Sequence, residues 1–105
     1  YGTERSYSGL RLAAVLAKRG DTEVRVFLLG DAVGCAMGGQ KVPDGYYHLD
    51  RMVDSAARHG AEVGCCGVCL DARGIDDDHL TKGARRSSLD ELGEWTIWAD
   101  KVITF

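Results

Sequence analysis

The sequence contains no long apolar run, so nothing in it reads as a membrane span or as the hydrophobic heart of a signal peptide. It also lacks an excess of positive charge. Thirteen Lys and Arg stand against 16 Asp and Glu, a formal net charge of −3. Phosphate binding needs a basic face, so nucleic acid is not an expected partner. Histidine is scarce and dispersed, at His48, His59 and His79, with none beside a cysteine, which leaves a Cys-His protease pair unsupported. Proline occurs once, at Pro43. No internal repeat or low-complexity tract is found. What remains is ordinary globular material, 45% hydrophobic and 28% charged. A chain of 105 residues fits one domain, residues 1–105, with room for a core of its own.

The unusual feature is the placing of the four cysteines. Cys65, Cys66 and Cys69 fall within five positions, and Cys35 stands apart. Thiols so clustered do not staple distant segments, so a secreted disulfide scaffold is excluded and a reducing, cytoplasmic location is expected. The thiols are then free, metal-bound or chemically active.

Periodicity outlines the fold. A helix is expected from Thr3 to about Lys18, with Thr3 as N-cap and Gly20 as stop, Glu4, Arg11 and Lys18 on the wet face, and Leu12, Val15 and Leu16 opposite. Val24 to Leu29 reads as a buried strand. Asp44 to His59 reads as a helix, with Leu49, Met52, Val53, Ala56 and Ala57 on its apolar face. Ala61 to Cys65 is a short strand running into the cysteine cluster. Asp76 to Asp78 marks a loop or short helical turn. Ser88-Leu89-Asp90-Glu91 has the form of a capping box opening a helix through Trp95 and Trp98, and Lys101 to Phe105 is expected to close the chain as a strand. Alternation of this kind implies an α/β domain with a mainly parallel sheet flanked by helices. Such folds normally begin with a strand, and Tyr1-Gly2-Thr3 reads like the loop after one, so the first strand is expected to be missing from this chain.

Reactive groups in parallel sheets gather at the carboxyl ends of the strands. Two segments qualify, Gly30 to Cys35 and Cys65 to Cys69, and parallel strands would bring Cys35 and Cys66 to one rim. Zinc needs four ligands. Cys66 and Cys69 make one short-spaced pair, but a second is absent, and Cys35 with a histidine would complete a site only through tertiary placement, so no metal is expected. A Cys66–Cys69 disulfide switch is open, although the thioredoxin pattern is not met, because Pro43 precedes the cysteines. A single nucleophilic cysteine is the third reading. A thiolate at a strand-to-helix turn is stabilised by backbone N–H groups and by a cation such as Arg73, and it can hold sulfur as a persulfide. The fourth is packing, which suits Cys65 inside its strand better than Cys66 at the strand's end. Gly34 to Gln40 nearly matches a phosphate loop, but Gln40 stands where lysine is required. Arg85 and Arg86 read as a solvated pair or a docking patch, Asp31 as a shaper of the Cys35 loop or a helix cap, and Trp95 and Trp98 as core or subunit interface.

Four stretches, VRVFLLGDAVGCA, GQKVPDGYYHLDRM, CGVCLDARGI and ADKVITF, occur in an order that resembles the DsrE/DsrF-like family of small sulfur-relay proteins, and the resemblance runs from Tyr1 to Phe105. It implies a compact α/β domain assembled as a homotrimer or homohexamer. It implies a sulfur carrier or sulfurtransferase that holds sulfane sulfur as a cysteine persulfide, exchanges it with donor and acceptor proteins or small persulfides, and needs no cofactor. By motif the carrier falls on Cys66, with Cys69 or Cys35 as an auxiliary thiol and Arg73 as electrostatic support. Cys69 and Cys65 depart from the one-cysteine relay members, and a second thiol would resolve the persulfide to a disulfide. The other readings are a non-catalytic assembly or regulatory module of the same fold and a thiol–disulfide switch.

Overall fold

The computed structural model describes residues 4–105. The first helix, α1, spans Arg5–Ala17 and is followed by strand β1 at Arg25–Leu28 and a 3-10 turn at Gly30–Ala36. Helix α2 (Leu49–Arg58), strand β2 (Glu62–Cys66) and the short helix α3 (Gly67–Ala72) come next. A 3-10 turn at Asp77–His79, strand β3 (Ala84–Ser87) and helix α4 (Leu89–Trp98) complete the order. The expected N-cap Thr3 and the loop reading of Tyr1 to Thr3 lie outside the described residues.

The sheet is parallel throughout, in the order β1-β2-β3. Side chains alternate across it, so each strand divides between two layers. Arg25, Phe27, Glu62, Gly64 and Arg85 share the face covered by α4. There the Trp95 indole meets the Phe27 ring edge-on at 6.1 Å, and a side chain at Gly64 would press on Trp95 and Ser87. The Arg25 guanidinium lies 3.7 Å from the centre of the Trp98 ring and pairs with Glu62. Leu28, Val63 and Cys65 turn to the other face, where they join Leu10 of α1, Leu49 and Val53 of α2, and Val33 and Cys35 of the 3-10 turn in the main core.

Four expectations are corrected. The second helix begins at Leu49 rather than Asp44, although its apolar face is the expected one: Leu49, Val53 and Ala56 are buried. The face of α1 that meets the core is Leu10, Ala13 and Ala17, whereas Val15 is 60% exposed. Ala17 packs with Ala56 and Ala61, a close approach that small side chains permit and larger ones would block. Lys101 to Phe105 forms no strand. A β-branched run becomes one only where neighbouring backbone takes its hydrogen bonds, and among the described residues none does. Instead Val102 and Ile103 are exposed and the Phe105 ring lies over Gly9, where a Cβ would come within 3.1 Å. The third strand is Ala84–Ser87, with the two arginines inside it.

Among the described residues no helix is long and apolar enough to cross a membrane.

Candidate functional site

Strand β2 ends where α3 begins, so the chain turns sharply at Cys66. Cys66 caps α3: its Sγ accepts the Cys69 N–H at 3.4 Å. One helical turn later, Cys69 Sγ accepts the Gly30 N–H at 3.2 Å, which ties α3 to the carboxyl end of β1. Gly30 has a positive φ of 62°, a conformation glycine adopts at little cost, and this aims its N–H at the sulfur. Arg73 closes this side of the site. Its guanidinium bonds the Cys69 carbonyl at 3.0 Å and holds the Asp31 carboxylate through Nε and Nη2 at 3.1 and 2.5 Å. Asp31 therefore anchors Arg73 and caps no helix.

The Cys66 thiol is held below its ordinary pKa. The hydrogen bond from the Cys69 thiol is the main cause; burial works against it, and the N–H groups of Cys69 and Val68 and the charge of Arg73 assist. Arg73 is itself held above its usual value, chiefly by Asp31 and also by the fields of both sulfurs. Cys65 is the opposite case. It is completely buried among apolar groups, and burial pushes its thiol up to about 11, with Cys35 and Cys66 nearby adding to the shift. Neighbouring residues of one strand thus present two kinds of thiol, one facing the core and one at the rim.

Beyond Cys66 lies a groove of about 460 Å³, lined by Leu29, Cys66, Val68, Arg86, Ser87 and Leu89 among others. Cys66 exposes only 6% of its surface, while Val68 is 77% exposed and Leu29 and Leu89 are half or more exposed, so an apolar rim surrounds a recessed sulfur. Strand β3 supplies the far wall because its Ser87 is the register partner of Cys66. Its arginines point to opposite layers. Arg86 bonds the Gly67 carbonyl at 3.2 Å and pairs with Asp71 and Asp77, securing the start of α3. Arg85 makes a two-pronged pair with Glu91 at 2.7 and 2.8 Å. Both are ion-paired at the surface. At the start of α4, Ser88 Oγ accepts the Glu91 N–H at 3.2 Å, half of the expected capping box. The Glu91 carboxylate does not complete it, turning instead to Arg85 and the Ser87 hydroxyl.

Of the expected site residues, the structure brings Cys66, Cys69 and Arg73 together and leaves Cys35 in the core, buried on the Cys65 side. Gln40, where a phosphate loop would need lysine, has a different task. Its side-chain amide donates to the carbonyls of Gly34, Cys35 and Met37 at 3.0 to 3.3 Å, clasping the end of the 3-10 turn. Its backbone N–H donates to the buried Asp50 carboxylate at 3.3 Å. The groove walls Leu29, Val68, Ser87 and Leu89 carry no signal in the sequence. Gly30 and Asp31 had one, their position at the end of the first strand. Among the described residues no group of three or more His, Cys, Asp or Glu side chains converges as a bound metal would require.

This arrangement has counterparts. The DsrE/DsrF-like family model matches residues 1–105. Protein YchN of Escherichia coli is 38% identical over 106 residues, covering all of this chain and 90% of its own. An uncharacterised protein of Methanopyrus kandleri is 34% identical over 105 residues, covering all of this chain and 85% of its own. The crystal structure of E. coli YchN superposes with a TM-score of 0.92, again over all of this chain and 90% of that one. Matched from end to end in sequence and in fold, the chain belongs to the DsrE/DsrF-like family.

Proposed function

We propose that the protein is a sulfur carrier, or sulfurtransferase, that accepts sulfane sulfur on Cys66 and passes it to a thiol acceptor. The observation that carries this reading is the state of Cys66: a recessed sulfur on a groove, accepting a backbone N–H at 3.4 Å and held toward the thiolate by its neighbours. The thiolate is the nucleophilic form, and a lowered pKa increases its share at neutral pH. In loading, the Cys66 thiolate attacks the outer sulfur of a donor R–S–SH. A new S–S bond forms on Cys66, the donor's own S–S bond breaks, and the electron pair leaves with RS⁻. Delivery is the same exchange in reverse, with the acceptor thiolate attacking the outer sulfur and Cys66 leaving. Arg73 stabilises the negative charge at both stages, and no cofactor enters either. The apolar rim of Leu29, Val68 and Leu89 suits the apolar flank of a partner protein or the body of an organic persulfide.

Intact-protein mass spectrometry after incubation with a small organic persulfide tests this directly. The wild-type chain takes sulfur from the donor, read as added sulfur that reductant removes or as sulfide set free, and Cys66→Ser does neither. Equal loading of Cys66→Ser would sink the assignment.

A further inference from the structure

Cys69 gives a sulfur held on Cys66 a second way out, and this inference rests on the carrier reading above. We infer that Cys69 resolves the Cys66 persulfide within the chain, releasing sulfide and leaving a Cys66–Cys69 disulfide, so that the site acts as a persulfide-reducing dithiol. Its substrates would be organic or protein persulfides and, to reset it, an external dithiol.

Three observations carry the inference. The Cys69 backbone N–H donates to Cys66 Sγ at 3.4 Å, so the two cysteines meet on the first turn of α3. Cys69 has its own support for negative charge in the Gly30 N–H at 3.2 Å, with the guanidinium of Arg73 fixed on the Cys69 carbonyl. The third observation concerns direction. Attack on a disulfide-type sulfur is in line, with nucleophile and leaving group on opposite sides of the sulfur attacked. Cys66 lines the groove and Cys69 does not; Cys69 lies on the Gly30 and Arg73 side. In-line attack then requires the carried sulfur to extend from Cys66 into the groove, away from Cys69. Cys35 and Cys65 do not line the groove.

The step balances. Cys69 as thiolate attacks Cys66 Sγ, the Cys66–Cys69 bond forms, the bond from Cys66 to the outer sulfur breaks, and the electron pair leaves as HS⁻. The sulfane sulfur is reduced by two electrons, the two thiols are oxidised to the disulfide, and the Cys69 proton passes to solvent. Exchange with an external dithiol returns both thiols and oxidises that reductant.

The test is anaerobic loading of the reduced protein with glutathione persulfide, removal of excess donor, and measurement of free sulfide together with intact mass. Wild type is expected to release sulfide stoichiometrically and to end two hydrogens lighter, with no retained sulfur. Cys69→Ser is expected to keep the added sulfur and to release sulfide at least about ten-fold more slowly, having lost its internal nucleophile. A wild type that keeps its sulfur and releases sulfide no faster than Cys69→Ser overturns the inference and leaves the carrier reading standing. A wild type that takes up no sulfur and sets no sulfide free overturns the carrier reading and this inference with it.

Discussion

Gly83 and Gly93 should respond in opposite directions to the same change, glycine to alanine. Gly83 lies just before β3, where the chain passes over α2. A Cβ there would sit 2.8 Å from Asp54 Oδ1, 2.9 Å from Ala57 Cβ and 3.0 Å from Asp54 Cα. The Asp54 carboxylate cannot swing aside freely, because one oxygen accepts the Gly83 N–H at 2.8 Å and the other the Thr81 hydroxyl at 2.6 Å. Forcing a methyl into such a contact costs about 1–3 kcal/mol. Loosening a hydrogen bond to a charged acceptor adds about 1.5–3 kcal/mol when it is lost outright. The two costs overlap, so about 2–4 kcal/mol is the expected destabilisation. At roughly 4–8 °C per kcal/mol for a domain near this size, Gly83→Ala should lower Tm by about 8–30 °C. Gly93 is exposed in α4 with no atom within 4 Å of a built Cβ, so alanine there meets nothing. It gains about 1 kcal/mol of helix propensity, and Tm should rise by a few degrees. Thermal unfolding followed by circular dichroism reads both variants. A Gly83→Ala protein melting within about 2 °C of wild type would refute the packing of α2 against the entry to β3.

Other expectations concern the site and its supports. Alkylation by iodoacetamide at neutral pH should modify Cys66 faster than in the denatured chain and Cys65 last, the one held below the ordinary thiol pKa and the other raised to about 11. Arg73→Gln should slow Cys66 alkylation without unfolding the protein, since the Asp31 pair it breaks is mostly exposed; an unchanged rate would remove Arg73 from the site. Glu91 is held down to about 2, first by Arg85 and then by the Ser87 hydroxyl. A carboxylate depressed on folding adds stability that is full above its ordinary pKa near 4.5 and is lost as pH falls toward about 2. Urea unfolding across that window should show the loss in wild type and a shallower one in Arg85→Met. Leu70 of α3 is wholly buried, so Leu70→Ala should cost about 2–5 kcal/mol in the same assay.

The elements legible in the sequence are those whose packing follows side-chain pattern. β1 is a β-branched and aromatic run, and α2 repeats Leu49, Val53 and Ala56 at helical spacing, so both could be read directly. Strand β3 could not. Ala-Arg-Arg-Ser has no apolar signature, and it holds its place through ion pairs to both layers, as edge strands often do. Lys101 to Phe105 failed in the other direction, since strand propensity without a paired backbone does not make a strand. On α1 the error was one of weight, because the larger Leu12, Val15 and Leu16 outrank Ala13 and Ala17 in hydrophobicity, yet the alanines make the close contact. In the site, Cys66, Cys69 and Arg73 were recognisable from their types and spacing. The groove was not, because its walls come from Leu29, Ser87 and Leu89, which only tertiary structure brings beside Cys66.

Mapping the sulfur to a residue decides whether Cys66 is the carrier. The protein is loaded with an organic persulfide carrying isotopically heavy outer sulfur, alkylated at once to trap persulfides, digested and sequenced by tandem mass spectrometry. Cys69→Ser is run in parallel to prevent onward loss. In Cys69→Ser, the account predicts heavy sulfur on Cys66 and none on Cys35 or Cys65, neither of which lines the groove. Heavy sulfur on another cysteine, or on none, would contradict it.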